Sequence, residues 1–390
     1  MSIAVLENSI RRRDFDEFAR EIFSSFLRAD QRRWARVYLR GLLSVDGKKT
    51  IRKIAETGPA DARVGAIQSL QQFISQSPWD WDPVREALAR IVYEHAAPQA
   101  WILSAATMPK RGIHSVGVTR RFVQQEGRMM NCQRGLGLLL ATDHGALPVD
   151  WCLELDGVWI NEPERRERTK VPAGVDRKSQ SDHLLEMVDR MNCQWRLPVA
   201  PIVSEFPHSQ PDALRLIAGL TGRKLNFLME VPASLAALVE VQAVDARAEG
   251  SHTGFGRFHE FGVVSGTGVS GARGVVGSTA ATLRLFAGWT PADGRARRFW
   301  VTNLSGWRPD ELLSLALVHR RGVADVQEMQ ESFGLRDFEG RSYPGWHHHT
   351  TLVSAAFAYH RLLSGGHLRP GSDDLFRPGP WCPRAGAGAV

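Results

Sequence analysis

The sequence predicts an α/β protein in which a mixed β-sheet follows a helical N-terminal domain and is interrupted by a β-rich insertion. Three patterns predict this fold class. Apolar residues recur at helical spacing up to about residue 95, short apolar runs separated by turn residues follow, and helix and strand patterns then alternate. With 390 residues, 43% of them hydrophobic, the chain is long enough for two or three domains with a sizeable core.

The helical N-terminal domain is predicted over residues 1–95. Phe18, Ile22 and Phe26 recur at the spacing of one helix face. A later helix is predicted in VREALARIVYEHA, and the Asp82-Pro83 pair before it is a typical helix start because proline fits the first turn.

The first part of the core is predicted over residues 96–228. It begins with short apolar runs bounded by Gly, Pro and Asp, which are typical of consecutive strands: QAWILSAA, HSVGVTRRFV, RGLGLLLATD and PVDWCLEL. A helix, a strand, a second helix and a further strand follow: SQSDHLLEMVDRMNCQ, APIVSEF, PDALRLIAGLTG and LNFLMEV. This order favours a sheet of mixed direction.

The remaining chain divides into three parts. Residues 229–299 are rich in Gly and Ala with short strand-like pieces, and we expect a β-rich insertion there. Residues 300–364 return to helical patterns that are expected to complete the core. Residues 365–390 are rich in Gly and Pro and are predicted to be a disordered tail.

Charge and cysteine content narrow the function classes. Lys and Arg outnumber Asp and Glu by 49 to 42, which favours a polyanionic partner, nucleic acid first. The four cysteines are scattered without CxxC spacing, which excludes a disulfide framework and predicts no zinc cluster. The sequence contains no run of 18 apolar residues, so no membrane span is predicted, and no secretory leader is expected.

Two short motifs suggest ligand sites, but their context argues against both. Residues 266–271 match GxGxxG, yet the following ARGVVGSTAATLRL is a poor helix start for a dinucleotide site. His347, His348 and His349 are adjacent, and helix neighbours point about 100° apart, so three rings cannot converge on one ion. We interpret the first as a flexible or hairpin segment and the second as a helix start that packs at the surface.

Several longer stretches, in order along residues 15–364, carry a resemblance to a known family. These stretches are RRWARVYLRGLL, DGKKTI, QSLQQFISQSPWDW, PVREAL, MPKRGIHSVGV, PVDW and FEGRSYPGWHHHTTLVSAA. Through them the chain resembles the transposases of the bacterial insertion-sequence 701 family, which have an RNase H-like DDE fold.

The resemblance implies an RNase H-like core, a β-rich insertion and two-metal phosphoryl transfer on DNA. Three carboxylates hold two Mg²⁺ ions in that chemistry. One lies at the end of the first strand of the sheet, one at the end of a later neighbouring strand, and one on a helix after the insertion. Mg²⁺ requires carboxylate oxygens and water, which serine and alanine cannot replace.

At these three positions the chain departs from the family pattern. The first strand reads WILSAATMPKRG where the family has a pattern like WVIDDTGFPKKG, so Ser104 takes the place of the catalytic Asp and Ala105 that of its acidic neighbour. In IVSEFPHS, Glu205 takes the second position. Counting back without a gap from Gly334 puts Val323 at the third. Only Glu205 is acidic.

Nearby acids on the same helix do not restore the third carboxylate by sequence spacing. Asp325 lies about 200° round the helix from Val323 and is expected to face away. Glu328 points about 140° away from the direction of Val323, and Glu331 lies roughly 12 Å from Val323 along the helix axis.

The leading hypothesis is a transposase-like DNA-binding protein that has lost the two-metal site, either a pseudo-transposase or a recruited regulator. It predicts DNA as partner, leaves a homo-oligomer open, and expects a cytoplasmic, nucleoid-associated location. No cofactor is expected, since the Mg²⁺ ligands that the resemblance implies are missing. The candidates for phosphate contacts are Lys110, Arg111, Arg120, Arg121, Arg320 and Arg321.

Two alternatives stay open. In one, the vacated pocket performs metal-free chemistry on a small molecule, with Glu205 as general base and His208 as general acid or base. In the other, the chain is an active DDE transposase with a shifted set of carboxylates.

Overall fold

A computed structural model describes residues 14–58, 65–123, 126–204, 209–232, 258–264, 283–289 and 296–362. Helices precede the sheet, as the apolar spacing predicts. Residues 14–22 form helix α1, and it is followed by α2 (Ala29–Ser44), α3 (Ile51–Glu56), α4 (Ala66–Ser75) and α5 (Asp82–His95). Helix α5 has proline in its first turn, as the Asp82-Pro83 pair predicts.

The first four strands lie next to one another in sequence. They are β1 (Ala100–Pro109), β2 (Thr119–Val123), β3 (Arg128–Thr142) and β4 (Gly145–Leu153). The short helices α6 (Gly157–Asn161) and α7 (Pro163–Arg168) follow, then α8 (Gln180–Asp189), which continues into a π-helical turn at Arg190–Gln194. Helix α8 begins with a capping box in which Ser179 and Asp182 satisfy each other's backbone groups.

The second half alternates strand and helix before ending in two long helices. Its elements are β5 (Ile202–Ser204), α9 (Gln210–Gly222), β6 (Phe227–Val231), β7 (Phe258–Val264), β8 (Leu283–Trp289), β9 (Ala296–Thr302), α10 (Pro309–Ser332) and α11 (Tyr343–Leu362).

The nine strands of the described residues form one sheet in the order β2-β3-β1-β5-β6-β9-β8-β7, with β4 also paired to β3. Strand β1 is antiparallel to β3 but parallel to β5, and β5 is parallel to β6. The sheet is therefore mixed, which confirms the predicted fold class and is consistent with an RNase H-like core. It also makes β5 the direct neighbour of β1, as the resemblance requires of the first two carboxylate-bearing strands.

Helices cover both faces of the central sheet. Ser104 of β1 pairs with Gly137 of β3, which pairs with Trp151 of β4, so these three residues share one face. The Trp151 indole donates to Ser354 of α11, which places α11 on that face. Cys152 points to the opposite face, where it meets His183 of α8.

The hydrophobic core is continuous from the N-terminal helices to the sheet. Phe18 of α1 and Tyr359 of α11 contact each other, with ring centroids 5.3 Å apart. Strand β9 pairs with β6, so the described parts of residues 229–299 extend the sheet of the core. The proposed domain boundaries remain predictions, and the tail from residue 365 lies outside the described residues.

Candidate functional site

The first candidate position, Ser104, lies in the middle of β1 and is buried, with 4% of its surface exposed. Its neighbour Gly137 has no side chain, and a Cβ atom there would come within 2.9 Å of the Trp151 ring. The indole of Trp151 therefore packs over the strand beside Ser104. The surroundings of Ser104 on this side are aromatic and small.

The second candidate position follows directly after β5. Leu103 of β1 is in register with Ser204, the last residue of β5, and Glu205 is the next residue in the sequence. Glu205 and His208 both lie outside the described residues.

The third position lies on α10, but the residue that the ungapped count assigns to it does not face the sheet. Val323 is 43% exposed on the outer side of α10, so the ungapped count places the third position on the solvent side of the helix. Helix α10 approaches β1 closely at Gly322, where a Cβ atom would lie 3.0 Å from Ile102. Further along, Gln330 donates to the carbonyl of Thr107 (3.3 Å).

Between these two contacts, α10 presents the buried apolar side chains of Val326 and Met329 on its inner side. The helix runs in the same direction as β1, because Gly322 meets Ile102 and Gln330 meets Thr107. This part of α10 therefore lies at the level of Ser104, and a shift of about three residues from Val323 still gives an apolar residue.

Asp325 points away from Val323, as its spacing predicts, but because Val323 faces solvent this turns Asp325 inward, and it is buried. Its Oδ2 accepts from the backbone N–H of Ala146 (2.7 Å), and its Oδ1 accepts from Arg361 (2.8 Å). Ala146 pairs through Ala141 with Ala100 at the start of β1. Four residues along a strand span about 13 Å, so Asp325 lies too far from Ser104 to share a metal ion with it.

Burial dominates the electrostatics of Asp325. It raises the pKa of this carboxyl to about 6, against the opposing effects of the Ala146 N–H and the Arg361 guanidinium. Arg361 also binds Glu328 (2.6 Å). These two acids of α10 thus anchor the end of α11.

The basic candidates for phosphate contacts fall into two places. Arg320 and Arg321 are exposed on α10, nine or ten residues before Gln330, and about 14 Å of helix therefore separates them from the end of β1. Lys110, Arg111, Arg120 and Arg121 lie around the end of β1. The six candidates therefore do not form one patch.

Two of the four residues near the end of β1 are committed to contacts inside the protein. The Lys110 ammonium donates to the carbonyls of Phe338 (2.7 Å) and Arg336 (3.3 Å), and burial lowers its pKa to about 8. Arg121 forms an ion pair with Glu154 (2.6 Å). Arg111 and Arg120 are exposed.

A buried ionic cluster that the sequence analysis missed lies where α5, β4 and α11 meet. Arg85 binds Asp150 (2.8 Å), and both side chains are almost fully buried. Arg190 approaches the same carboxylate at 2.9 Å. Arg85 also donates to the carbonyl of Trp151 (2.7 Å) and to the hydroxyl of Thr351 (2.8 Å). We call Arg85, Asp150 and Arg190 the buried ionic cluster.

The cluster had a signal in the sequence. Arg85 lies in the PVREAL stretch and Asp150 in PVDW, both of which carry the family resemblance. These stretches are separated by 65 residues, so nothing local predicts that they meet.

The three histidines of α11 point in three directions, which agrees with the expectation that they do not converge. They are buried, however, and the expected surface packing is wrong. His347 Nδ1 accepts from Arg85 (3.0 Å), and its ring stacks on Trp81. The helix lies between the N-terminal helices and the sheet, which leaves it no free side.

The other two rings bind backbone and tyrosine. His349 Nε2 donates to the carbonyl of Gly334 (2.9 Å), while its Nδ1 accepts from the Tyr38 hydroxyl (2.9 Å). His348 lies between the carbonyls of Ile74 (2.8 Å) and Trp79 (2.9 Å). Burial lowers the pKa of His348 and of His349 to about 4, against the effect of the backbone carbonyls.

Across the described ranges, no three His, Cys, Asp or Glu side chains are grouped so that they could hold a metal ion. Three cysteines in these ranges are free thiols, and residues 266–271 with the GxGxxG match lie outside them. Among the helices that the structure describes, none is long and apolar enough to cross a membrane.

The comparison with known families decides the class of protein. A family described as DDE superfamily endonuclease matches residues 21–261, which is more than half of the chain. The chain belongs to this DDE endonuclease family. Membership implies interaction with DNA, while the match ends before α10 and so includes the first two candidate positions but not the third. No curated protein matches the chain significantly.

Proposed function

We propose that this DDE-family protein is a relative of the insertion-sequence 701 transposases that binds DNA but no longer cuts it. The observation that carries the proposal is the surroundings of Ser104. Where a metal-binding carboxylate is required, a buried serine lies beside Trp151 and opposite the apolar inner side of α10. Such a protein would act at the nucleoid as a regulator or persist as a pseudo-transposase.

The donor groups at this place do not fit two Mg²⁺ ions. Two-metal catalysis needs several carboxylate oxygens within reach of ions about 4 Å apart. Ser104 offers one neutral hydroxyl, and Val323, Val326 and Met329 offer no ligand atom. The Asp325 carboxylate is directed to Ala146, at the level of the start of β1, and is already bound to Ala146 and Arg361. We therefore derive no catalytic step through a metal ion.

DNA binding is supported by the positive net charge and by the exposed Arg111 and Arg120 near the end of β1. Each phosphate contact releases counterions, so binding should weaken steeply with salt. The remaining candidates, Arg320 and Arg321, form a second exposed basic site on α10, separate from the first.

The proposal is tested by two measurements on the full chain. Fluorescence anisotropy with a duplex DNA between 50 and 200 mM salt, roughly the range over which counterion release changes affinity most visibly, should show a steep loss of affinity. A strand-cleavage assay with Mg²⁺ or Mn²⁺ should show no product.

The outcomes separate the alternatives. Absent binding at low salt would overturn the DNA-binding proposal. Metal-dependent cleavage that is lost in Glu205→Ala would show instead an active transposase with a shifted carboxylate set.

A further inference from the structure

The β2–β3 hairpin extends past the rest of the sheet. Strand β1 ends opposite Cys132, and β4 ends opposite Gly135. Within the sheet, residues 128–131 of β3 therefore pair with β2 alone. The hairpin projects from the end of the sheet to which β1 runs.

The two faces of this hairpin differ. On the inner face, Thr119 binds Asp156 (2.8 Å) and Arg121 binds Glu154 (2.6 Å). On the outer face, Arg120 and Phe122 of β2 lie opposite Asn131 and Met129 of β3. We call Arg120, Phe122, Met129 and Asn131 the outer hairpin face.

The outer hairpin face carries unusually exposed apolar side chains. Phe122 is 62% exposed and Met129 is 49% exposed, and the two form a direct cross-strand pair. Of the eight large apolar side chains that are exposed among the described residues, three lie between residues 111 and 131, the third being Ile113. Single exposed apolar residues need no explanation, but a paired set on a projecting ribbon indicates a contact surface.

We propose that the outer hairpin face inserts into duplex DNA, with Phe122 and Met129 as an apolar wedge between base pairs and Arg120 on the phosphate backbone. The inference rests on the proposed DNA-binding function. A two-stranded ribbon fits a DNA groove, and phenylalanine and methionine are side chains that proteins insert between base steps to kink a duplex. The charge supports DNA over a protein partner, because the exposed Arg120 lies on the same face as the apolar pair and the chain carries a net positive charge.

The experiment compares wild type with Phe122→Ala/Met129→Ala. The probe is a duplex that carries 2-aminopurine beside a two-base mismatch, where unstacking costs least. Wild type should raise the 2-aminopurine fluorescence on binding. The double variant should leave the fluorescence unchanged and bind roughly tenfold more weakly, since it loses the wedge and its base contacts.

Val199→Ala is the matched control. Val199 is an exposed apolar residue just before β5, at the opposite end of the sheet, and its substitution should change neither signal. Phe122→Trp should keep both the affinity and the fluorescence change, because an indole can fill the same step.

Three results would overturn the proposal that the outer hairpin face inserts between base pairs. The double variant could bind and unstack the probe like wild type. Val199→Ala could reduce binding equally. Sedimentation could show a wild-type dimer that the double variant dissociates, which would make the face an interface between copies. If wild type binds no DNA even at low salt, the proposed function itself fails.

Discussion

The buried ionic cluster and the surroundings of Ser104 meet at β4, where Asp150 of the cluster directly precedes Trp151. The two places nevertheless differ in chemistry. In the cluster, a buried carboxylate is matched by two arginines, one of which also bonds to α11 and to the backbone of β4. Around Ser104 there is a hydroxyl, a glycine and an indole. Charge is thus retained where it holds elements together and is lacking where the family chemistry would need it.

Breaking the cluster should have the largest effect. Asp150→Ala leaves Arg85 as an uncompensated charge in a dry site, and removing one partner of a buried pair costs about 3–5 kcal/mol. Urea unfolding of the variant measures this loss.

Asp30→Ala is the control, because the Arg28–Asp30 pair is exposed and exposed ion pairs contribute little to stability. Equal losses in the two variants would contradict the structural role of the cluster.

Acid should destabilise the protein through the α11 histidines next to the cluster. The folded-state pKa values of His348 and His349 are about 4, and that of His347 is also lowered, so these rings stay neutral in the fold while the unfolded chain takes up protons below about pH 6.5. Stability is present above pH 6.5 and declines towards pH 4, by about 1.4 kcal/mol per pH unit for each ring.

The pH dependence can be assigned by substitution. His349→Gln keeps a donor and an acceptor but removes the titration, so the slope of unfolding free energy against pH should fall by about one proton. Asp325 acts in the opposite direction, because its raised pKa of about 6 stabilises the fold on acidification. The pH effect of this one carboxyl opposes that of the three histidine rings. An unfolding free energy that does not change from pH 7 to 4.5 would contradict buried, neutral histidines.

Returning a carboxylate to β1 tests the other half of the comparison. Ser104→Asp places an acid at a buried position beside Trp151, and we expect a loss of about 2 kcal/mol, typical of a buried unsatisfied polar group. Mg²⁺ should not restore the melting temperature. Ser104→Ala, the size-matched control, should lie within about 1 kcal/mol of wild type. Recovery with Mg²⁺ would mean that other carboxylates still form a metal site there.

The smallest expected effect is on DNA binding by single arginines. Arg111→Gln and Arg120→Gln should each reduce the salt slope of affinity by about one, as expected for one lost phosphate contact. Arg90→Gln, an exposed arginine that contacts the Trp195 carbonyl before β5, should leave the slope unchanged. Lys110→Gln should lower stability instead, because the Lys110 ammonium is bonded to the carbonyls of Arg336 and Phe338. Anisotropy titrations at several salt concentrations measure the three arginine variants, and urea unfolding measures Lys110→Gln.

Sequence patterns predicted the local features of this fold. The apolar run around Ser104 is the buried β1, and the Asp82-Pro83 pair begins helix α5. The sequence could not predict which side of α10 faces the sheet, because Gly322 and Gln330 set it through tertiary contacts. For the same reason, spacing alone does not show that Val323 faces solvent and that Asp325 faces the sheet.

Long-range partners account for the other differences. A basic residue in a loop, such as Lys110, favours a phosphate contact by sequence alone. In the fold, however, carbonyls from a segment about 226 residues further along the chain accept hydrogen bonds from its ammonium group. The contact of Arg85 with Asp150 likewise joins residues that no spacing rule connects. Glu205 and His208, on which the small-molecule alternative depends, lie outside the described residues and stay a hypothesis.

The hydrogen bond from Arg85 to the Trp151 carbonyl joins helix α5 to strand β4. Beyond β3, strand β4 has no strand partner in the described ranges, so its outer side is an edge of the sheet. Exposed edges recruit strands from other molecules, and covering an edge with a helix prevents this. Helix α5 covers β4 in this way, with Arg85 occupying one of its acceptors. A core expressed from residue 96 onward would therefore be prone to aggregate, whatever its ability to bind DNA.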